Sequence, residues 1–481
     1  MEALALAATT SMRTIDVLAP THERKGYAGI TSVHSSWPSM QIESIFVPFR
    51  WPWKGCSSPN SGSRSLVPIR SSTRPGIDSS SSNTTNHHVF AVELDPNSAS
   101  QHQPASTRDQ ALKTNTFSIG LVFELGLEGS WDSSEVGSPV VKRFVGDNEE
   151  RWYMWYHGRS KTPDSIGLAV SGDGVHWNRG TQNANSSKDV GCVMNPTNKW
   201  WAFDTKSIRP SQMVVISNQL HSAVYWLYYT GYSSEELYLP GAINLLVENP
   251  ERVLYPKDQR NDQIFRSFPG LACSQDGRHW ARMEGDHHSG AVLDVGTGND
   301  WDSLFIAAPN VVVHSSDDLR MYYHSFDAIN RRFAIGIARS RDGMRWIKLG
   351  KIVENRKQIG LFDELGIRNA NVVRNHQGGN YLMAYECVAG DGRTSIGLAE
   401  SPDGLKNWTK IQEEPILMPL EDDGWDSRGV GSPCLVQMNN KSDELRLYFV
   451  GIGNDGKTGI GMAVSEGNNL RKFRRWERFQ A

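Results

Sequence analysis

The sequence between Trp131 and Gly174 contains three motifs that decide the fold: WDSSEVGSPVV at 131–141, RWYMWYHG at 151–158 and SIGLAVSGDG at 165–174. The first motif joins an aromatic residue and Asp to an apolar run. The second is dominated by aromatic residues, and the third combines small and apolar residues before Asp-Gly. Aromatic and β-branched residues favour strands, and Asp-Gly favours a primed hairpin turn between two strands. Together the motifs predict three consecutive strands and a tight turn.

The same three motifs recur, in the same order, in five repeats along the chain. The repeats begin with the residues Trp131, Trp201, Trp301, Phe362 and Trp425. Four of the five repeats continue from Asp-Gly to a tryptophan, namely Trp177, Trp280, Trp346 and Trp408. Each repeat therefore predicts a sheet of four strands. A single sheet cannot bury both faces, so the repeats must pack around an axis. We predict an all-β fold, a five-bladed β-propeller with four-stranded antiparallel blades.

Two segments depart from the repeat pattern. Residues 233–269 are a charged insertion between the second and third strands of the second repeat, and either a functional loop or a decoration fits them equally. Residues 117–124, FSIGLVFE, resemble the third motif. They would either add a strand to the last blade and so close the ring, or form a strand that belongs to the first blade alone.

The first hundred residues have a different composition from the repeats. Residues 1–88 contain eight Lys or Arg and five Asp or Glu among frequent Ser and Thr. This composition is typical of a chloroplast transit peptide, and we expect a disordered N-terminal extension over 1–88 and a linker over 89–116. A disordered tail without a targeting role is the alternative. The propeller then spans 117–479, and we expect the protein in the chloroplast, in its stroma.

Composition and charge argue against several classes of function. The five cysteines are far apart and include no CxxC pair, so neither a disulfide framework nor a zinc site is indicated. The net charge is −3 and the repeats contain no basic block, so nucleic acid is not expected as a partner. No apolar stretch is long enough for a membrane-spanning helix. We expect no metal and no cofactor, and nothing in the sequence sets an oligomeric state.

The order WDS, GSP, apolar strand, WY strand and IGLA-S-DG-W resembles the arabinanase, levansucrase and invertase superfamily of five-bladed glycoside hydrolases. The resemblance covers residues 117–479 and depends on five ordered copies. It implies a carbohydrate ligand in a funnel at one end of the propeller axis, and hydrolytic members use carboxylates at the start of the innermost strands. In this superfamily a key Asp typically precedes the proline that opens an inner strand. The corresponding residues here are not acidic: Ser138, Arg209, Ala308, Asn369 and Ser432.

Two functions therefore remain open, a glycosidase with a rearranged set of acids and a non-catalytic propeller that binds a sugar, a sugar phosphate or a protein. Hydrolysis of a glycoside requires two carboxyl groups. Glu386 is a candidate general acid, because the second-strand ends of the other repeats carry no acid: His157, Thr230, His324 and Val450. The alternative for Glu386 is an ion pair with Arg368 or Arg209.

Glu135 is the candidate partner carboxylate, since the last repeat has glycine at the matching position, and a solvated loop residue is the alternative. Asp132 and Asp302 are further catalytic candidates. Because every repeat carries an Asp at that position, a structural role suits them better. His157 and His324 are candidates for binding sugar hydroxyls or for shuttling a proton, and a structural histidine is the alternative for each. Arg209 and Arg368 are candidates for attracting an anionic sugar.

Overall fold

A computed structural model of the chain describes the following residues: 12–13, 118–146, 149–160, 163–180, 182–186, 189–217, 223–238, 263–353, 361–375, 378–421, 424–438, 444–467 and 469–477. No helix occurs in these ranges. Most of the expected disordered extension and linker, 1–116, lies outside them. Two short strands precede the repeats, β1 (Met12–Arg13) and β2 (Leu121–Phe123), and β1 pairs with the first strand of the first repeat.

The strands of the five repeats form antiparallel sheets of four principal strands each. Repeat 1 contains β3 (Glu135–Gly146), β4 (Glu150–Arg159), β5 (Ser165–Ser171), β6 (Trp177–Asn178) and an additional β7 (Gly191–Met194) that pairs with β5. Repeat 2 contains β8 (Ser207–Ser217), β9 (Ala223–Tyr238), β10 (Gln263–Ser274) and β11 (Ala281–Met283). Repeat 3 contains β12 (Ala307–Ser315), β13 (Asp318–Asp327), β14 (Arg332–Ser340) and β15 (Ile347–Val353).

Repeat 4 contains β16 (Ile367–Arg374), β17 (Tyr381–Val388), β18 (Thr394–Ser401) and β19 (Thr409–Lys410). Repeat 5 contains β20 (Gly429–Gln437), β21 (Leu445–Ile452), β22 (Thr458–Glu466) and β23 (Asn469–Arg475). A single parallel bridge joins the sheets of repeats 4 and 5. The predicted all-β class and the four-stranded antiparallel sheets are confirmed.

The inner strands of the repeats contact one another in chain order, β3 with β8, β8 with β12, β12 with β16 and β16 with β20, and β20 contacts β3. Hydrogen bonds between aromatic side chains and Asp-Gly turns join neighbouring repeats. Tyr228 of repeat 2 donates to the carbonyl of Gly343 in repeat 3. Tyr448 of repeat 5 donates in the same way to Gly174 of repeat 1, over 2.8 Å. The last repeat is therefore joined to the first by the contact that joins repeats in the middle of the chain.

The strand β2 belongs to the sheet of the last repeat. Leu121 and Phe123 pair with Gly461 and Ile460 of β22. The ring of Phe123 also meets that of Tyr156 in repeat 1, edge to face, with 4.8 Å between the ring centres. Of the two expectations for FSIGLVFE, the added strand on the last repeat is the one observed.

The structure corrects the sequence alignment at the start of repeat 2. Trp301 and Trp425 stack on the aromatic rings of their own second strands, Tyr323 and Phe449. In repeat 2 the residue that stacks in this way is Phe203, on Tyr229, and not Trp201. The two adjacent tryptophans obscured this equivalence.

The Asp-Gly turns also differ from the prediction. A type I′ turn needs positive φ at both central residues. Here only the glycines have it, for example Gly174 and Gly343, and the preceding Asp residues do not. Each turn is instead a longer loop held by side chains: Asp173 accepts backbone N–H bonds from Val175 and His176, and Gly174 donates to Ser171. Serine and aspartate stabilise loops in this way.

The insertion of repeat 2 lengthens its strands rather than forming only a loop. Gln263, Ile264 and Phe265 of β10 pair with Tyr238, Leu237 and Glu236 of β9. Residues 239–262 lie outside the described part of the chain.

Candidate functional site

Each inner strand contains a bulge near its first residues, where one extra residue interrupts the pairing with the second strand. In four repeats a non-glycine residue at this bulge has φ between 45° and 50°: Ser138, Ala308, Asn369 and Ser432. This left-handed conformation costs about 1–2 kcal/mol for a residue with a Cβ atom. Bulges re-aim side chains and are common beside functional sites.

The bulges of all five repeats line one cavity, which we call the central pocket; its empty space, including the solvent at its open mouth, is about 450 Å³. Its lining residues are Ser138, Pro139, Arg209, Pro210, Ser211, Thr230, Tyr232, Ala308, Asn369, Ala370, Asn371, Ser432 and Pro433. Most of the polar groups are neutral hydroxyls and amides, and the remaining wall is proline, alanine and one tyrosine ring. Such a wall offers hydrogen bonds in both directions together with apolar surface.

A second cavity, the side pocket, shares Ser138, Arg209, Asn369 and Ser432 with the central pocket. Its wall also contains three of the residues singled out from the sequence, Glu135, His157 and Glu386. The structure therefore brings four predicted site residues together, because Arg209 lines both pockets.

Glu386 is almost completely buried, and both of its carboxylate oxygens accept hydrogen bonds from N–H groups. Its Oε1 accepts from Nε and Nη2 of Arg368, at 2.8 and 2.6 Å. Its Oε2 accepts from Nδ2 of Asn369 at 2.8 Å and from the backbone N–H of Ser432 at 3.0 Å. If Glu386 were protonated, the proton on either oxygen would point at an N–H group that is itself a donor and cannot accept it. The ion pair with Arg368, the alternative that the sequence left open, is observed.

The contact between Glu386 and Ser432 belongs to a series. Thr230 of repeat 2 accepts from the backbone N–H of Ala308 in repeat 3, at 2.8 Å. His324 of repeat 3 accepts, through Nδ1, from the backbone N–H of Asn369 in repeat 4, at 3.3 Å. In each case the end of a second strand binds the bulge of the next repeat. Glu386 is thus one of three chemically different acceptors at equivalent joints.

Glu135 lies at the centre of a charged cluster beside the side pocket. It accepts hydrogen bonds from Nε2 of His157 at 3.0 Å, from Nη2 of Arg209 at 3.1 Å, and from Arg159. Only 7% of its side chain is exposed. The expected alternative for Glu135, a solvated loop residue, does not describe this position.

Asp164 completes the cluster, and sequence reasoning missed it together with Arg159. Nε of Arg209 donates to Asp164 over 2.6 Å, and Arg159 lies 3.6 Å from it. Burial favours the neutral acid, but Arg209, His157 and Arg159 outweigh burial and lower the pKa of Asp164 to about 2. The available signal was an acid directly before the SIGLA strand of repeat 1.

Arg368 and His324 lie behind the pockets rather than in their walls. Arg368 is buried, with its guanidinium over the ring of Phe333 at 5.1 Å. Arg209 and Arg368 occupy equivalent positions, since they pair with Thr230 and Glu386 at the second-strand ends. The sequence alignment instead matches Arg209 with Asn369, the residue after Arg368. This register explains why both arginines meet carboxylates.

Asp132 and Asp302 lie away from both pockets, in buried contacts that recur around the molecule. Asp132 accepts from the hydroxyl of Tyr156 at 2.8 Å and from Arg179 at 3.0 Å. Asp302 accepts from the hydroxyl of Tyr323 at 2.9 Å and pairs with Lys348 at 2.8 Å. The other three repeats have the same Asp-to-cation pair: Asp204 with Arg282, Asp363 with Lys410 and Asp426 with Arg475. A catalytic role for Asp132 and Asp302 stays a prediction that these contacts do not support.

The described residues contain neither a candidate metal site nor a candidate membrane-spanning helix. No group of three or more His, Cys, Asp or Glu side chains there is placed to hold a metal ion. Among the described residues there is no helix that is long and apolar enough to cross a membrane.

The molecule is an all-β protein built from repeated four-stranded sheets around shared pockets. Its sequence matches no protein-family profile and no curated protein. Solved structures give partial superpositions. One of them, a glycoside hydrolase, has 15% identity and a TM-score of 0.48, over 76% of this chain and 96% of that one. A thermostable family-43 glycoside hydrolase has 14% identity and a TM-score of 0.48, over 73% and 97%. An N-acetylgalactosamine deacetylase from F. plautii has 15% identity and a TM-score of 0.48, over 72% and 94%.

Proposed function

We propose that this chain is a five-bladed β-propeller that binds a carbohydrate in its central pocket without hydrolysing it. The cyclic order of contacts between inner strands, with β20 against β3, supports five blades around one axis. Residues from all five repeats line the pocket, as expected for a site on that axis. The wall of hydroxyls, amides, prolines and one tyrosine suits a ligand with many hydroxyl groups and apolar ring faces.

The observation that carries the non-catalytic part of the proposal is the environment of Glu386. A general acid must present a proton to the leaving oxygen of the substrate. Both oxygens of Glu386 accept from N–H donors, four in total, and one of these donors is the backbone of the next repeat. Using Glu386 as an acid would require this joint to break in each catalytic cycle.

Glu135 is constrained in a similar way. Two arginines and a histidine donate to its carboxylate. A nucleophile or base needs a lone pair directed at the substrate or at a water molecule. We assign both carboxylates to holding the walls of the pockets, where they orient Asn369 and Arg209.

The second candidate function is glycoside hydrolysis, and one observation favours it: Glu135 and Glu386 line the same side pocket. A glycosidase requires at least two carboxyl groups that face the same cavity. Under this alternative His157, which pairs with Glu135, would relay the proton.

Binding is tested with the full chain by calorimetric titration against neutral mono- and oligosaccharides of plastids and cell walls. Ser211 lines the central pocket, and Ser211→Trp fills it. The control is Ser315→Trp, at the far end of the inner strand β12, where the serine is similarly half-buried. We expect binding by the native chain and the control, and at least about a tenfold loss in Ser211→Trp. Equal binding by both variants would place the ligand elsewhere.

Hydrolysis is tested on the same sugars by following the release of reducing ends. The proposal expects no turnover by the native chain. Turnover that disappears in both Glu386→Gln and Glu135→Gln, in folded protein, would establish the glycosidase instead.

We also propose that the protein is located in the chloroplast stroma. The Ser- and Thr-rich, acid-poor composition of residues 1–88 supports this location. A fusion of residues 1–116 to a fluorescent protein tests it: import into chloroplasts is the expected result, and retention in the cytosol contradicts it.

A further inference from the structure

Among the residues that the structure describes, Arg209 is the only Lys or Arg in the walls of these two pockets. It would therefore be the natural attachment point for a carboxylate or phosphate group on a sugar. Its side chain is 11% exposed, so a ligand in the central pocket would meet it in a weakly hydrated setting.

The guanidinium of Arg209 already binds two carboxylates. Its Nε donates to Asp164 at 2.6 Å and its Nη2 donates to Glu135 at 3.1 Å. An anion placed beside Arg209 would thus lie close to two buried negative charges. Repulsion from these charges offsets the attraction of the arginine, and the ligand would still lose its hydration.

The charges around the two pockets cancel in number. The buried or half-buried carboxylates are Glu135, Asp164 and Glu386. The guanidiniums paired with them are Arg159, Arg209 and Arg368. These three pairs balance three negative charges against three positive charges, and His157 adds a positive charge only when it is protonated. Every carboxylate is needed for this balance.

We infer that Glu135 determines specificity: by pairing with Arg209 and Arg159 it keeps the pockets electrically neutral, so that they admit neutral sugars and exclude uronates and sugar phosphates. The inference rests on the proposed function of the central pocket and names its ligand class. It reverses the preference for an anionic sugar that the arginines suggested in the sequence. Glu135 acts here on selectivity rather than on a reacting bond.

The test compares each neutral sugar with its acid, glucose with glucuronate and galactose with galacturonate, by calorimetric titration of the full chain at low ionic strength. Inorganic phosphate serves as a probe of charge alone. Glu135→Gln keeps the size of the side chain and leaves one uncompensated positive charge. Asp164→Asn removes the other carboxylate on Arg209 and covers the case in which Glu135→Gln does not fold. Glu128→Gln is the matched control, since this exposed residue just before repeat 1 lines neither pocket.

We expect the native chain and Glu128→Gln to favour the neutral sugar by at least about tenfold, and Glu135→Gln and Asp164→Asn to gain affinity for the uronate and for phosphate by at least about tenfold. Native protein that binds a uronate as tightly as the neutral sugar would overturn the inference and leave carbohydrate binding intact. If no sugar binds but the two variants gain phosphate binding, the charge assignment stands and the proposed function fails. If neither sugars nor phosphate bind to any variant, both are overturned.

Discussion

The carboxylate of Glu386 in repeat 4 accepts a 3.0 Å hydrogen bond from the backbone N–H of Ser432 in repeat 5. Ser432 is one of the bulge residues with positive φ, and it lines both pockets. Glu386 therefore fixes the strained backbone of a neighbouring repeat at the point where that repeat forms the pocket wall. The same carboxylate neutralises Arg368, which is buried.

This relationship predicts that Glu386→Gln destabilises the protein. The glutamine amide leaves Arg368 without its counter-charge. In either orientation of the amide, its NH2 group faces N–H donors instead of acceptors. Removing one partner of a buried ion pair costs about 3–5 kcal/mol, and we expect a loss of about 3 kcal/mol in the free energy of unfolding. Urea unfolding followed by tryptophan fluorescence measures it. Glu413→Gln, at an exposed position of the same repeat, is the control and should change stability by less than about 0.5 kcal/mol.

A glycosidase would behave differently in the same experiment. Substituting a catalytic acid by its amide abolishes turnover while the fold keeps its stability. Native-like stability of Glu386→Gln would therefore contradict the structural role assigned to Glu386.

Asp302 allows a second test. It concerns the ion pair, found in every repeat, between the Asp of the first motif and a Lys or Arg later in the same repeat. Asp302→Asn removes the charge opposite Lys348 and weakens the bond from Tyr323, both in a buried setting. We expect a loss of about 2 kcal/mol in unfolding free energy, with sugar affinity unchanged. Asp300→Asn, two residues away and exposed, is the matched control. Loss of binding by folded Asp302→Asn would restore Asp302 as a site residue.

The repeats made much of the fold predictable. Each third motif contains a glycine because an aromatic ring occupies the space of its side chain. A Cβ atom on Gly167 would lie 2.3 Å from the ring of Trp131, and one on Gly336 would lie 2.5 Å from that of Trp301. A motif that satisfies the same packing requirement five times is visible in one sequence. The equivalence of the second-strand ends, including Glu386, followed from the same regularity.

The charged cluster was less predictable, because it forms between two repeats and its charged residues do not recur in all five repeats. Glu135 and Arg209 are separated by 74 positions, and Asp164 and Arg209 by 45. The position of Arg209 depends on the bulge of β8, which differs from the other bulges in lacking a residue with positive φ. A side chain shifted by one residue on a strand points to the opposite face. The sequence could therefore nominate Arg209 and Glu135 but not their contact.

A substitution of Phe123 tests whether the strand β2 joins the last repeat to the first. Its ring is buried between β22 of repeat 5 and Tyr156 of repeat 1. Phe123→Ala leaves a cavity at this junction and should lower the free energy of unfolding by about 3 kcal/mol. Leu127→Ala removes apolar atoms four residues later from a side chain that is 77% exposed, and should have little effect. Equal and small losses in both variants, measured by urea unfolding, would show that β2 does not stabilise the contact between repeats 5 and 1.

Asp164 sets a pH dependence whose direction follows from its pKa. Burial raises this pKa, but Arg209, His157 and Arg159 together lower it from 3.8 to about 2 in the folded protein. A lowered pKa means that the folded state binds the proton less tightly than the unfolded state does. The resulting stabilisation is complete above about pH 4 and disappears as the pH falls towards 2, and it is on the order of 2 kcal/mol. Asp164→Asn lacks this ionisation. Urea unfolding of both proteins between pH 7 and 2 should therefore show a difference in stability that is constant down to about pH 4 and then shrinks. A difference that persists unchanged at pH 2 would mean that the contacts of Asp164 with the arginines do not depend on its charge.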